Sequence, residues 1–242
     1  MIEVTALSKT FSGAPPVQAV DEVSFTVGPG TIYGLLGPNG AGKTTTLRML
    51  ATLLRPDSGE ASIAGHDLRE DSQAVRQSLG YLSANTGLYG RLIPREFLLY
   101  FARLQGVDRP AQRCDELMER LGITKYAEQR CDALSTGMAQ KVSIARAIVH
   151  RPPVLILDEP TSGLDVLVSQ TVLEFVEQAR AEGTCILYST HVMSEAERLC
   201  DRIGILHEGR LLAEGTLEEL KRRSGQPDLE AAFVSFVRSS AS

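Results

Sequence analysis

Paired cysteine is missing from this chain. Its four cysteines, Cys114, Cys131, Cys185 and Cys200, form no CxxC and no metal-like spacing. That argues against a disulfide framework or a cysteine metal site and predicts small buried thiols in a reducing cytosol. Long hydrophobic runs are missing too. The longest, such as "VLIL" at Val154 to Leu157, fall far short of the ~20 residues that a spanning helix needs. Any membrane role is therefore expected to come through a partner. Excess positive charge is also absent. With a net charge of -5 and a pI near 5.5, no nucleic acid or anionic membrane surface is expected as a bulk electrostatic partner. The opening "MIEVTALSKTF" has acid and alternation where a secretory signal has a basic then an apolar region, so none is expected. There is no internal repeat, and only "RSSAS" at the end is low in complexity.

What is present suits a sizeable core. At 242 residues, 43% hydrophobic and 23% charged, the chain fits one large domain, or one domain with an inserted lobe. Short β-type runs recur: "IEVTAL", "VSFTV", "TIYGLLG", "EASIAG", "VLILDE", "TCILYST" and "IGILHEG". The first, second and fourth alternate between turn residues, as half-exposed antiparallel strands do. "VLIL" and "CILY" are continuously apolar, the mark of strands covered on both faces. Helical periodicity fills the gaps, first in "KTTTLRMLATLL" and then almost without break from Pro94 to about Arg151. That block predicts a helical lobe, about 92–150, inserted in an α/β core spanning 1–225. In the remaining 226–242, Leu229, Ala232, Phe233, Phe236 and Val237 share one helical face, fit to dock on the chain's own domain or on a partner.

"GPNGAGKTT" follows the apolar "TIYGLL" and opens a helix. It matches GxxxxGK[ST] completely, with Gly37, Gly42, Lys43 and Thr44 in place. In such a loop (Gly37, Pro38, Asn39, Gly40, Ala41, Gly42, Lys43, Thr44 and Thr45), glycines let successive N–H groups point inward at phosphate oxygens. The helix N-terminus adds partial positive charge. Lys43 is expected to reach the β- and γ-phosphates and Thr44 to ligate Mg²⁺. Asp158 and Glu159 close the strand "VLILDE", where ligands sit on open parallel sheets. Asp158 is expected to hold Mg²⁺ through water and Glu159 to act as general base; without the loop they would read as solvated carboxylates. His191 follows another buried strand. Either it is a helix cap or core residue, or Thr190 or Ser194 does the capping and His191 faces the γ-phosphate.

"LSTGMAQKVSIARA" lies just upstream of the Asp-Glu strand, and "SGLD" just after it. With "STHVMSEAERLCDRIGIL", this ordered set resembles the ATP-binding subunits of ABC transporters, over nearly the whole chain from Phe11 to about Gly215. The resemblance implies a P-loop ATPase fold: a mixed-sheet α/β core, an antiparallel β subdomain and an inserted helical lobe. It implies ATP with Mg²⁺, catalysis by Glu159, His191 and Lys43, and head-to-tail pairing with an identical or related ATPase subunit. Ser135 and Gly137 would then complete the partner's site, with Asp165 at the junction, although a simply N-capped helix also explains Ser135. Phe11 stands where the family stacks an aromatic ring on adenine; core packing is the other reading. The signature departs from LSGGQ at Thr136 and Met138. A membrane-spanning permease subunit and a peripheral place on the cytoplasmic face of the cell membrane are implied as well. A soluble cluster-assembly ATPase is the alternative.

"GYLSANTGLYGRL", Gly80 to Leu92, starts like a buried strand and becomes a polar loop. Here the family joins core to helical lobe, places a glutamine that senses the γ-phosphate, and meets the membrane subunit beside it. Registering this stretch on that pattern puts Ala84 at the glutamine position. Either Asn85, one methylene shorter, substitutes, or water bridges the gap. The missing glutamine and the STGM-type signature resemble the ATP-binding subunits of bacterial sodium-extrusion exporters, and only that resemblance suggests Na⁺ efflux.

Overall fold

The computed structural model of the chain describes residues 1–83 and 87–240. Two strands, β1 (Ile2–Phe11) and β2 (Val17–Val27), precede β3 (Ile32–Leu36) and helix α1 (Lys43–Leu50). Next come β4 (Ser58–Ile63), β5 (His66–Asp67), α2 (Ser72–Ser78) and β6 (Leu79–Ser83). A helical stretch follows: α3 (Pro94–Leu104), α4 (Pro110–Arg120) and α5 (Thr136–Ile148). The chain then alternates through β7 (Val154–Asp158), α6 (Val166–Ala181), β8 (Cys185–Thr190), α7 (Met193–Leu199) and β9 (Arg202–His207). It finishes with β10 (Arg210–Gly215), α8 (Leu217–Ser224) and α9 (Leu229–Ser240).

The strands form two sheets, ordered β2-β1-β4-β5 and β10-β9-β3-β8-β7-β6. The first is antiparallel throughout. Its alternating sequence buries one face, as the pattern in β1 shows. In the second sheet every pairing is parallel except β9 with β10. Strands β3, β7 and β8 are buried at every residue, which is what continuous apolar runs require when both faces are covered. Strands β5 and β10 escaped the sequence reading. One has two residues, and the other, "RLLAEG", is a charged edge strand without clear alternation.

Helix α1 stops at Leu50, four residues before the end of the run "KTTTLRMLATLL". Thr52 turns into the left-handed region, and the amides of Leu53 and Leu54 both donate to the Arg48 carbonyl, a helix-closing arrangement. Among the described residues between β6 and β7 there is no strand. This helical stretch shares its core with one face of the large sheet: Phe97, Leu117, Met118 and Val142 are continuous with Leu82, Leu155 and Tyr188. Gly80 allows the close approach, because a Cβ there would stand 2.3 Å from the Ala147 carbonyl oxygen. The other face of the large sheet packs on the antiparallel sheet and α1. The C-terminal helix α9 docks on its own chain. Leu229 and Ala232 are fully buried, and Phe233 and Phe236 pack on a cluster with Ile203, Ile205 and Leu220. Together these layers bring the carboxyl ends of β3, β7 and β8 to one edge.

Candidate nucleotide site

Residues 37–42 link the end of β3 to the first turn of α1. Gly42 has φ +103°, and a Cβ there would lie 2.4 Å from the Ala19 carbonyl oxygen, so only glycine fits. Gly40, at φ +82°, is exposed, and among the described residues no atom comes within 4 Å of where its Cβ would be, so the tip of the loop faces open space. Gly42 caps α1 without a side chain, which leaves the first-turn amides free to meet an anion. Pro38, Asn39 and Gly40 are exposed, whereas Ala41 is buried. The Ala41 carbonyl accepts from the Gly209 amide (3.0 Å), and the Gly209 carbonyl accepts from the Asp21 amide (2.8 Å). The loop is thus fastened to both sheets. Thr45 is half-buried in the first turn.

Lys43 is only 4% exposed. Its ammonium donates to the Gly37 and Pro38 carbonyls (2.6 and 3.0 Å) and lies 3.1 Å from Glu159 Oε1. The other Glu159 oxygen is 3.3 Å from His191 Nδ1. Just before it, the buried Asp158 carboxylate accepts from Thr44 Oγ1 (3.1 Å) and Ser189 Oγ (2.8 Å). Lys43, Thr44, Asp158, Glu159 and His191 therefore meet in one cluster at the carboxyl edge. Burial pushes the Glu159 carboxyl up. The hydrogen bond and charge of Lys43, with those of His191, outweigh burial and hold it below the usual glutamate value. Glu159 sits at φ +49°, a left-handed conformation for a side-chain-bearing residue, held by its amide donating to both Ser189 Oγ and O.

Ser189 escaped the sequence reading. It faces Asp158 because β7 and β8 run parallel with those two residues in register, a pairing no local pattern announces. The capping near His191 also differs from expectation. Val192 is the N-cap of α7 and makes no side-chain cap; instead Thr190 Oγ1 accepts the Val192 amide (3.0 Å), and Ser194 is exposed. His191 itself is an exposed residue, not a core one.

Ser135, Gly137 and Asp165 form a second group. Exposed Ser135 caps α5 by accepting the Met138 amide (3.3 Å), and Asp165 caps α6 by accepting the Val168 amide (3.0 Å). A Cβ on Gly137 would be 2.6 Å from Val168 Cγ2, so Val168 joins the two turns. Gln140 Nε2 ties the same helix to the Pro160 carbonyl (2.6 Å). Neither Val168 nor Gln140 was singled out in the sequence. Phe11 is 42% exposed and belongs to no core cluster, so core packing does not explain it. It pairs with Val17 on β2, and the same strand passes Gly42 at Ala19. Ala84 and Asn85 lie outside the described residues.

These donors fit a nucleotide with Mg²⁺. Thr44 and Asp158 offer hard oxygens side by side, enough for an ion that takes one or two protein ligands plus substrate phosphates. The first-turn amides of α1, left without a side-chain cap, suit those phosphates. A profile of the ABC transporter family matches residues 20–162. The chain belongs to that family. It is 41% identical over 239 residues to NatA, an ABC transporter ATP-binding protein of Bacillus subtilis (strain 168), with 97% of each chain covered. The daunorubicin/doxorubicin resistance ATP-binding protein DrrA of Streptomyces peucetius is 41% identical over 230 residues, covering 93% of this chain and 68% of DrrA. A solved ATP-binding subunit of an ABC transporter superposes at TM-score 0.89 with 33% identity, over 98% of this chain and 99% of that one. A bacterial ABC transporter cassette solved as a dimer gives TM-score 0.81 at 25% identity, over 90% and 99%. The fold is therefore the ABC ATPase fold, and the chain is an ABC-type ATP-binding subunit using ATP with Mg²⁺. Subunits of this family work with membrane permeases and pair as dimers. Among the described residues no helix is long and apolar enough to cross a membrane.

Proposed function

We propose that this chain hydrolyses ATP on the cytoplasmic face of the cell membrane and so powers an exporter whose permease is a separate subunit. Residues 1–225 would be the ATPase domain, with about 92–150 as its helical lobe and 226–242 as a C-terminal helix and tail. The observation that carries the reading is Glu159, at the end of a buried strand, held between Lys43 and His191 beside the Thr44–Asp158 pair. A carboxylate kept ionised there suits a general base. Glu159 takes a proton from the attacking water as the water oxygen bonds to the γ-phosphorus and the bond to the ADP oxygen breaks. Lys43 and the first-turn amides of α1 hold the phosphates, and His191 orients the γ-phosphate. When bound at Thr44 and Asp158, Mg²⁺ supplies charge neutralisation. Phe11 stacks on adenine. Ser135, Gly137 and Asp165 complete the site of a second ATPase subunit, paired head-to-tail.

Na⁺ is the proposed cargo, on the resemblance to sodium-extrusion exporters alone. The relatives' names range from NatA to anthracycline resistance and bacitracin transport, which fits a cargo chosen by the permease. The surface proposed to meet that permease lies beside the loop after β6. Tyr89, Tyr100 and Leu104 are exposed there, and Tyr89 contacts Phe97, Tyr100 and Phe101. A cavity of about 320 Å³ opens alongside, lined by Leu53, Tyr81, Phe101 and Arg146. Exposed aromatic and aliphatic groups in one patch favour a protein partner.

Purification from native membranes is expected to bring down a polytopic membrane protein. Leu53→Asp, which puts a charge at the cavity mouth, is expected to lose that partner while ATPase of the isolated subunit stays within about twofold, as for a surface change remote from the phosphates. Capture of a soluble scaffold instead would favour the cluster-assembly alternative. Ion flux in vesicles holding the purified pair then tests Na⁺.

A further inference from the structure

One half-buried acceptor stands between the two turns that carry the chemistry. Glu195, in the first turn of α7, receives three hydroxyl donors. Thr161 Oγ1 donates to its Oε1 (2.7 Å), while Tyr188 OH and Thr190 Oγ1 donate to its Oε2 (2.9 and 2.8 Å). Tyr188, Thr190 and Thr161 are all buried, so their hydroxyls need partners inside the protein. The direction of the Thr190 bond is set by its neighbour. Its oxygen already accepts the Val192 amide (3.0 Å), so its proton goes to Glu195. A carboxylate offers two oxygens that accept, so one side chain can take all three donors at once.

The positions of the donors give the contact its meaning. Thr161 lies two residues after Glu159, in a turn closed by the Ser162 amide on the Glu159 carbonyl (3.1 Å) and the Leu164 amide on the Thr161 carbonyl (3.2 Å). That turn leads to Asp165. Thr190 immediately precedes His191, and its carbonyl also accepts the Gly37 amide of the phosphate loop (3.4 Å). A closed circuit results: Glu159 pairs with His191 at the surface, and Glu195 joins Thr161 to Thr190 beneath them.

We infer that Glu195 is a positioning residue for ATP hydrolysis, setting the spacing of Glu159 and His191 by tying the Thr161 turn to the Thr190 turn. The inference rests on the ATPase reading above. Glu195 touches no substrate; it acts through Thr190 and the Val192 amide on His191, and through Thr161 on Glu159. The same tie gives movement of the 161–165 turn a direct route to His191. Glutamine weakens the tie: the nitrogen that replaces one oxygen accepts nothing, so at least one hydroxyl must turn its proton away, and the bonds that remain lose the charge that strengthens them.

The test is a double-mutant cycle on the purified full chain, reading kcat, KM for MgATP and the affinity for a fluorescent ATP analogue. Glu195→Gln is expected to lower kcat by about 10- to 100-fold, the scale of an ångström misplacement, with KM and analogue affinity within about threefold. In a His191→Ala background the same change is expected to cost less than about threefold, because residues acting as one unit are not additive. Unchanged kcat in Glu195→Gln, or a full loss again on top of His191→Ala, would overturn the inference. If Glu195→Gln fails to fold, Thr161→Val, which removes one donor, reads the same cycle. Glu159→Gln serves as control. Should it turn over ATP normally, the ATPase reading itself fails; should it be inactive while Glu195→Gln matches wild type, only the role of Glu195 falls.

Discussion

Glu159→Gln is expected to cut ATP turnover by about 10²- to 10⁴-fold, the usual worth of a positioned general base, while ATP stays bound. The substitution keeps the shape of the side chain. Its amide oxygen still accepts from Lys43, and its amide nitrogen can donate to His191 Nδ1, so both contacts now made at 3.1 and 3.3 Å have a neutral counterpart. What disappears is the capacity to take a proton. A chain that binds ATP and cannot consume it should accumulate in its paired form. Phosphate release measures the first effect, and size-exclusion chromatography with ATP and Mg²⁺ measures the second. A variant that remains monomeric with ATP, or that hydrolyses within tenfold of wild type, would sink the proposed mechanism.

Lys43→Ala should fail earlier, at binding. The loss of a charge-assisted contact of about 1.5–3 kcal/mol predicts roughly 10- to 100-fold weaker ATP, measurable by titration calorimetry. The same variant changes how stability depends on pH. In the wild type the Glu159 carboxyl is held low, so its ionised form stabilises the fold fully above the ordinary glutamate value. That contribution is lost as pH falls through the lowered value. Without Lys43, burial is opposed by His191 alone and the carboxyl moves up. The wild-type advantage attributable to this group is therefore widest near neutrality and shrinks in acid. Urea unfolding at a series of pH values should show that narrowing; a constant difference would mean Lys43 does not govern the charge of Glu159.

The pieces of this site differ in how they can be read from a linear chain. Gly37 to Thr45 is a local device: its glycines, its lysine and the helix that follows are adjacent in sequence, so the pattern carries the geometry. Asp158 and Glu159 are legible because a continuous apolar run ends on them. Ser189, Val168 and Gln140 are not legible, because their roles come from register and packing between segments: β7 beside β8, α5 beside α6, and α5 beside the turn at Pro160. Among the strands, alternation or apolar continuity revealed those with clear inner faces. The charged edge strand β10 had neither. For α9 the sequence specified an apolar face, and only the structure supplied the surface beneath it. Where Thr52 ends α1, a left-handed turn inside "LATLL" overrides an apolar pattern that reads as continuing helix.

The hydrogen bond from Gly209 to Ala41 has a consequence for synthesis. The phosphate loop is made early, but its fastening arrives late: Gly209, the β9 strand beside β3, and the Leu206 carbonyl that crowds Gly37 all come after residue 200. A nascent chain paused on the ribosome before β9 already holds Gly37 to Thr45 complete. It still has no donor for the Ala41 carbonyl, and β3 lies open along one edge. The nucleotide site thus becomes whole only once β9 and the turn at Gly209 have been made.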